Sequence, residues 1–200
     1  MSLADWRRRV AEMYAGVRAT DDAARAWQTF RESRDILFRE HPQSLLSHEQ
    51  RVSFDGLPYF PYDPAFRVIG IIELDVACDD VTLALPADGL VRLESVARVR
   101  FELLETTARL NLFWIRGYGG GIFLPFRDST AGDTTYGGGR YLYDTIKGVD
   151  LGVHALEIVM DFNYAYNPSC AYNSSWACPL APIENDLPFA VTAGEKNFVS

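Results

Sequence analysis

The sequence predicts a mainly β fold: an antiparallel meander closed as a barrel or folded as a sandwich, with two N-terminal helices packed on it. Three observations carry this expectation. Apolar residues recur at helical spacing over residues 1–41 and at a spacing of two from Phe66 onward. The strand-like runs follow one another through short turns, with no helical pattern between them, which argues against βαβ units. Aromatic residues make up 13% of the chain, and rings of this kind favour strands over helical bundles.

Leu3, Trp6, Val10, Met13, Tyr14 and Val17 form the stripe of a first helix. Thr20 and Asp21 offer N-caps for a second, whose stripe is Trp27, Phe30, Leu37 and Phe38. Pro42 ends it, because proline disfavours helical backbone in the residue before it. Residues 53–64 are rich in proline and turn residues and read as an ordered coil. Strands are predicted over residues 66–76, 81–85, 91–103, 108–115, 122–126, 134–143, 153–162 and 187–191. Asp88-Gly89 and Thr106-Thr107 read as hairpin turns. The clearest strand, residues 91–103, sets Leu93, Val99 and Phe101 on one face and Arg92, Arg98 and Arg100 on the other, the alternation of a half-buried antiparallel strand.

A chain of 200 residues suits one domain, with a helical segment at 1–41 and a β core at 66–196. Its net charge of −8 repels phosphate backbones, so no nucleic-acid partner is expected. No apolar run reaches the length of a membrane span, and the start of the chain lacks the apolar core of a secretory leader. The expected location is the cytoplasm, although an exported protein that has lost its leader would look the same.

Chemistry concentrates in two blocks. The first, residues 128–140 (DSTAGDTTYGGGR), puts three glycines before Arg140. Glycines let backbone approach a ligand closely, and an arginine beside them can clamp a carboxylate or phosphate. No phosphate-loop or dinucleotide fingerprint is present, so no cofactor is expected. The competing reading is a wide-turned hairpin in which Arg140 pairs with Asp128 or Asp161 inside the fold. The second block, residues 161–185 (DFNYAYNPSCAYNSSWACPLAPIEN), interleaves four asparagines with Tyr164, Tyr166, Tyr172 and Trp176. Rings and amides suit a pocket for a flat polar molecule or, equally, a loop whose asparagines satisfy its own backbone. Asp161 follows an apolar run, so it needs a buried partner or a shifted pKa.

Three cysteines make no disulfide framework. Cys78 reads as a small buried apolar group. Cys170 and Cys178, with seven residues between them, lack the second close pair of a zinc ribbon and the spacing of a redox motif, so no metal is expected. Two thiols packed among Tyr166, Tyr172 and Trp176 are the default, with a loop-clipping disulfide possible outside the cytoplasm. Ser44 between His41 and His48 suggests hydrolase chemistry only weakly, for no nucleophile elbow accompanies it.

The blocks FLPFRDSTAGDTTYGGGRYL, DFNYAYNPSCAYNSSWACPLAPIEN and AVTAGEK, with FREHPQSLL and FDGLPYFPYDP upstream, resemble a prokaryotic family of domains of unknown function, number sixteen eighty-four. The resemblance covers most of the chain and implies a bacterial source, but supplies no activity. One departure is Leu45, where the family pattern has a proline after Ser44. Relatives with export leaders could oxidise the matching cysteines, which would extend to Cys170 and Cys178 only in an exported protein.

The leading expectation is a ligand-binding β domain with its pocket at one end of the sheet, between the two blocks. Arg140 would fix an anionic group, Asp128, Asp161 and Asn163 would hold polar atoms, and Tyr136 and Tyr166 would contact an apolar face of a small molecule. No catalytic residue is assigned. The alternatives are a hydrolase using two of Asp128, Asp161 and Glu184, and a structural or interaction module whose loops only hold the fold.

Overall fold

The computed structural model describes residues 1–74, 80–85, 89–117 and 119–198. Cys78, Val76, the Asp88 half of the expected turn and Tyr118 lie outside the described residues.

Two long helices open the chain, α1 (Ser2–Ala19) and α2 (Ala23–Glu40). Asp22, one residue after the expected caps, is the N-cap of α2, where its side chain accepts from the Arg25 amide at 3.0 Å. The buried stripe of α2 is Ala26, Phe30, Arg34, Leu37 and Phe38, apolar except for Arg34. A short helix, α3 (His48–Val52), follows; it is too brief for periodicity to reveal, and a capping box between Ser47 and Gln50 starts it.

Among the described residues, eight strands then form one antiparallel sheet: β1 (Arg67–Glu73), β2 (Asp80–Leu85), β3 (Gly89–Leu103), β4 (Thr106–Ile115), β5 (Gly121–Phe126), β6 (Arg140–Asp144), β7 (Val153–His154) and β8 (Glu157–Asp161). Their order is β6-β5-β4-β3-β1-β8-β7, and β2 pairs with the early part of the long β3. The antiparallel meander with two helices packed on it is therefore present, and the sheet curves as a half-barrel. Beyond β6 its edge is taken by coil: the Tyr141 amide donates to the Tyr166 carbonyl at 2.8 Å, and Tyr166 returns the bond at 3.1 Å.

Three expected strands differ. The 134–143 run pairs only from Arg140, because residues 130–139 are wound into turns, with the amides of Asp133, Thr134 and Thr135 all on the Thr130 carbonyl. The 153–162 run splits into the hairpin β7–β8, turned at Ala155 with φ 52°. Residues 187–191 make no strand; they lie beside 127–129 through single bonds, such as the Leu187 amide to the Arg127 carbonyl at 2.8 Å. The β3–β4 turn falls at Leu104-Glu105, with φ 50° and 61°, just ahead of the expected Thr106-Thr107.

The helices and the sheet share one core. Tyr14 of α1, Phe30 of α2 and Tyr164 meet edge to face, with ring centres 5.1 Å (Tyr14–Phe30) and 4.9 Å (Phe30–Tyr164) apart. Phe162, just after β8, packs on Phe101 and Phe126 of the sheet.

The C-terminal coil crosses this core at Gly194, whose φ is +80°. A Cβ there would stand 2.6 Å from the Ala165 carbonyl oxygen and 2.7 Å from that of Phe162. Gly194→Ala is expected to cost about 2–3 kcal/mol, a fall in Tm of roughly 2–4 °C per kcal/mol for a chain of this size, measured by thermal unfolding followed by circular dichroism.

Candidate functional site

Arg140 begins β6 and is almost wholly buried (1% exposed). Its Nη2 donates to Asp128 Oδ2 at 2.8 Å and to the Val191 carbonyl at 2.9 Å. Its Nη1 donates to the carbonyls of Ala193 and, at 3.2 Å, Glu195, and the guanidinium lies over the Phe126 ring. Asp128 is equally committed: Oδ1 accepts from the Thr130 amide and hydroxyl and from the Val191 amide. Of the two readings of the glycine hairpin, the ion pair inside the fold with Asp128 is the one present. The turns of residues 130–139 aim Arg140 at the C-terminal coil, not at solvent.

A second buried ion pair holds the same coil from the helical side, and neither partner was singled out from the sequence. Arg34 Nε donates to Glu195 Oε1 at 2.7 Å, which also accepts from the Tyr59 hydroxyl at 2.9 Å. Glu195 Oε2 accepts from the Asn167 amide at 2.9 Å and from the Tyr172 hydroxyl. Burial, the largest single influence, lowers the Arg34 pKa, but the Glu195 carboxylate together with Tyr59, Tyr172 and Tyr14 outweighs it and holds the guanidinium well above its ordinary value. Burial and the same carboxylate push the Tyr59 and Tyr172 hydroxyls up, so both stay protonated donors. The available signal was the arginine in the apolar stripe of α2, since a charge there requires a buried partner.

Asp161 ends β8 beside Arg67, which begins β1, because the two are paired in register. Its Oδ1 accepts from the Asn163 amide at 3.1 Å and from Asn163 Nδ2 at 2.9 Å, and its Oδ2 is 3.4 Å from Arg67 Nε. Asn163 in turn exchanges two bonds with the backbone of Asp63, at 3.0 and 2.9 Å, and its carbonyl accepts from Trp27 Nε1 at 3.1 Å. Burial pushes the Asp161 carboxyl up, against the two Asn163 bonds and the Arg67 charge. A cleft of about 660 Å³ opens here, between the α1–α2 connection, β1, β8 and the turn at Phe162–Tyr164. Arg18, Asp21, Tyr62, Arg67, Asp161 and Tyr164 are among its walls.

The six residues named from the sequence thus fall into separate places. Asp128 and Arg140 meet each other, and so do Asp161 and Asn163. Tyr136 stands apart, its hydroxyl 3.6 Å from Cys170 Sγ. Tyr166 is buried beneath Arg34, and its hydroxyl has no hydrogen-bond partner among the described residues. The tyrosine-glycine hairpin and the 161–185 loop do touch, through the backbone bonds of Tyr141–Tyr166 and of the Ala181 amide on the Gly138 carbonyl and through the Tyr136 and Tyr141 hydroxyls, rather than around a polar hollow. The carboxylates proposed for hydrolysis are also dispersed. Asp161 lines the 660 Å³ cleft, Asp128 lines a separate one of about 450 Å³, and Glu184 is exposed on the turn Ile183–Asn185. The asparagines mostly serve the fold: Asn185, fully buried, bonds the backbone of Asn111 and Pro125, and Asn167 Nδ2 bonds the Lys196 carbonyl. His41 is buried against Asp5, with Nε2 3.1 Å from Oδ2, and the Ser44 hydroxyl donates to the Phe38 carbonyl, so both support the turn after α2.

Two outcomes follow from this geometry. Arg140→Met leaves the Asp128 carboxylate buried and unpaired and should cost about 3–5 kcal/mol, part of which the double variant with Asp128→Asn recovers; denaturant unfolding of the three variants measures both terms. For Asp161 the raised pKa means that the native state holds a proton more tightly than the unfolded chain. Its contribution to stability is therefore full below the ordinary carboxylate range and is lost as pH rises through the folded value. Asp161→Asn should raise Tm at neutral pH and lose that advantage near pH 4; an equal change at both would show that ionisation is not the cause.

Among curated proteins, none matches the chain. An uncharacterized protein from gene locus rrnAC0354 of Haloarcula marismortui, whose structure was determined in solution by NMR, is similar at 37% identity with a TM-score of 0.60. The likeness covers 88% of this chain and 97% of that one. Residues 52–196, well over half of the sequence, match the family described as Protein of unknown function (DUF1684), with the glycine hairpin, the ring- and amide-rich loop and the Glu195 coil all inside the match. The chain belongs to that family.

Proposed function

We propose that the chain binds a small anionic or otherwise polar molecule in the 660 Å³ cleft, with Arg67 as its anchor. One observation carries this reading. Arg67 lines the cleft with its Nε 3.4 Å from Asp161 Oδ2, and among the described residues its terminal NH2 groups donate no hydrogen bond. Asp161 is itself fixed by Asn163, so the guanidinium is oriented before a ligand arrives, which lowers the cost of binding. Paired terminal nitrogens suit a carboxylate or phosphate.

The rest of the cleft fits the same guest. Tyr62 and Tyr164 are among its walls, and the volume lies in the range of small-molecule sites. Asp161 lines the cleft and Asn163 holds it in place, while Arg67 takes the part first assigned to Arg140. The larger hollow, about 880 Å³ along α1 and α2, combines apolar walls such as Met13, Val17 and Ile36 with Arg9, Glu12, Asp21, Asp22 and Arg25, all of them exposed rather than fixed by buried partners. A net charge of −8 makes the isolated cationic anchor selective for small anions over nucleic acids.

The test is a thermal-shift titration at low ionic strength with amino acids, dicarboxylates and sugar phosphates. At least one should raise the Tm of the wild type saturably, with affinity falling roughly 10- to 100-fold in Arg67→Ala. A panel that leaves the wild type unmoved, or moves Arg67→Ala as far, would remove the reading.

A further inference from the structure

The loop that joins the Ser169–Ala171 turn to Pro179 carries chemistry that the cleft does not use. Pro168 starts that short 3-10 turn, and the loop folds back so that the Cys170 amide donates to Cys178 Sγ at 3.3 Å. On the far side of Cys170, the Tyr136 hydroxyl lies 3.6 Å from its Sγ. The Tyr141 hydroxyl donates to the Pro179 carbonyl and fixes the backbone next to Cys178. Both cysteines are free and partly exposed, and Ser174, Ser175 and Trp176 between them face solvent.

We propose that Cys170 and Cys178 form a reactive dithiol, with Cys178 as the nucleophile and Cys170 as the resolving thiol, that exchanges with low-molecular-weight disulfides. The roles follow from who donates to whom. Cys178 Sγ accepts from the Cys170 amide, so its thiolate is the stabilised one. Its pKa is lowered to about 6, chiefly by the Cys170 thiol, with the Cys170 amide and the charge of Lys147 adding to it and burial opposing. Cys170, hydrogen-bonded to that thiolate and partly buried, is pushed the other way.

The exchange proceeds in two balanced steps. Cys178 Sγ, as thiolate, attacks one sulfur of a disulfide RSSR; the S–S bond breaks, RS⁻ leaves and a mixed disulfide remains on Cys178. Cys170 then loses its proton to solvent, with the Tyr136 hydroxyl donating to the sulfur as it becomes charged. It attacks Cys178 Sγ and expels the second RS⁻. Two protein thiols are oxidised to one disulfide, and RSSR is reduced to two thiols. Because the Cys170 amide already bonds Cys178 Sγ, the two cysteines are neighbours before closure. The spacing of seven intervening residues hid this from the sequence, where the usual dithiol has two.

The test begins with the full-length reduced wild type, which avoids any question of folding. Iodoacetamide labelling, mapped by peptide mass against pH, should modify Cys178 first, with a midpoint near pH 6 and a rate at neutral pH roughly tenfold above that of Cys170. Oxidised glutathione should then convert the wild type to the Cys170–Cys178 disulfide. Under the same conditions Cys170→Ser should stop as a glutathione adduct on Cys178, and Tyr136→Phe should close more slowly. Equal labelling of the two thiols, wild type that never forms this disulfide, or an adduct that accumulates on Cys170 in Cys178→Ser as fast as on Cys178 in Cys170→Ser, would each overturn the proposal.

Discussion

The Glu195 carboxylate, only 1% exposed, is the point on which the arrangement turns. It accepts from α2 through Arg34, from the connecting coil through Tyr59, and from the ring-rich loop through Asn167 and Tyr172. Three regions far apart in sequence therefore meet on two oxygen atoms. A buried charge is tolerated only with good geometry and with its lone pairs filled, and removing one partner leaves the other expensive to keep dry. Arg140 grips the same coil from the sheet side through the carbonyls of Val191, Ala193 and Glu195. The coil is thus held between two arginines, one on a helix and one on a strand, and bridges the connecting coil where Glu195 pairs antiparallel with Tyr59.

The fold was largely legible because it rests on periodicity. The two helices and the strands from β1 to β5 emerge from spacing alone. The errors fall where the backbone turns without a sequence marker: Leu104, Glu105 and Ala155 adopt positive φ although none is glycine or asparagine. The mistaken strand at 134–143 failed for a related reason. Its β-favouring Thr and Tyr residues are overruled by a knot of turns around the Thr130 carbonyl.

The polar chemistry was much less legible, because an arginine's partner is a fact of three dimensions. Arg140 and Asp128 were rightly seen as related, but pairing and ligand binding demand the same residue types. Arg67 drew no notice, since on a strand it looks like any outward-facing charge. What distinguishes it is the antiparallel register that sets Asp161 opposite, which no local pattern encodes. The asparagines were ambiguous for the same reason: Asn163, Asn167 and Asn185 fill places where coil meets strand or helix and backbone groups would otherwise be buried unbonded.

Arg34 lies ahead of the region that matches the family, which starts at residue 52. The stretch by which the family is recognised therefore does not contain the counter-ion of its own most buried acid, nor Tyr14 and Phe30, which cover Tyr164. A fragment trimmed to the shared region would carry an orphaned anion and a bared aromatic floor. The boundaries of the family match are not those at which this molecule can be cut.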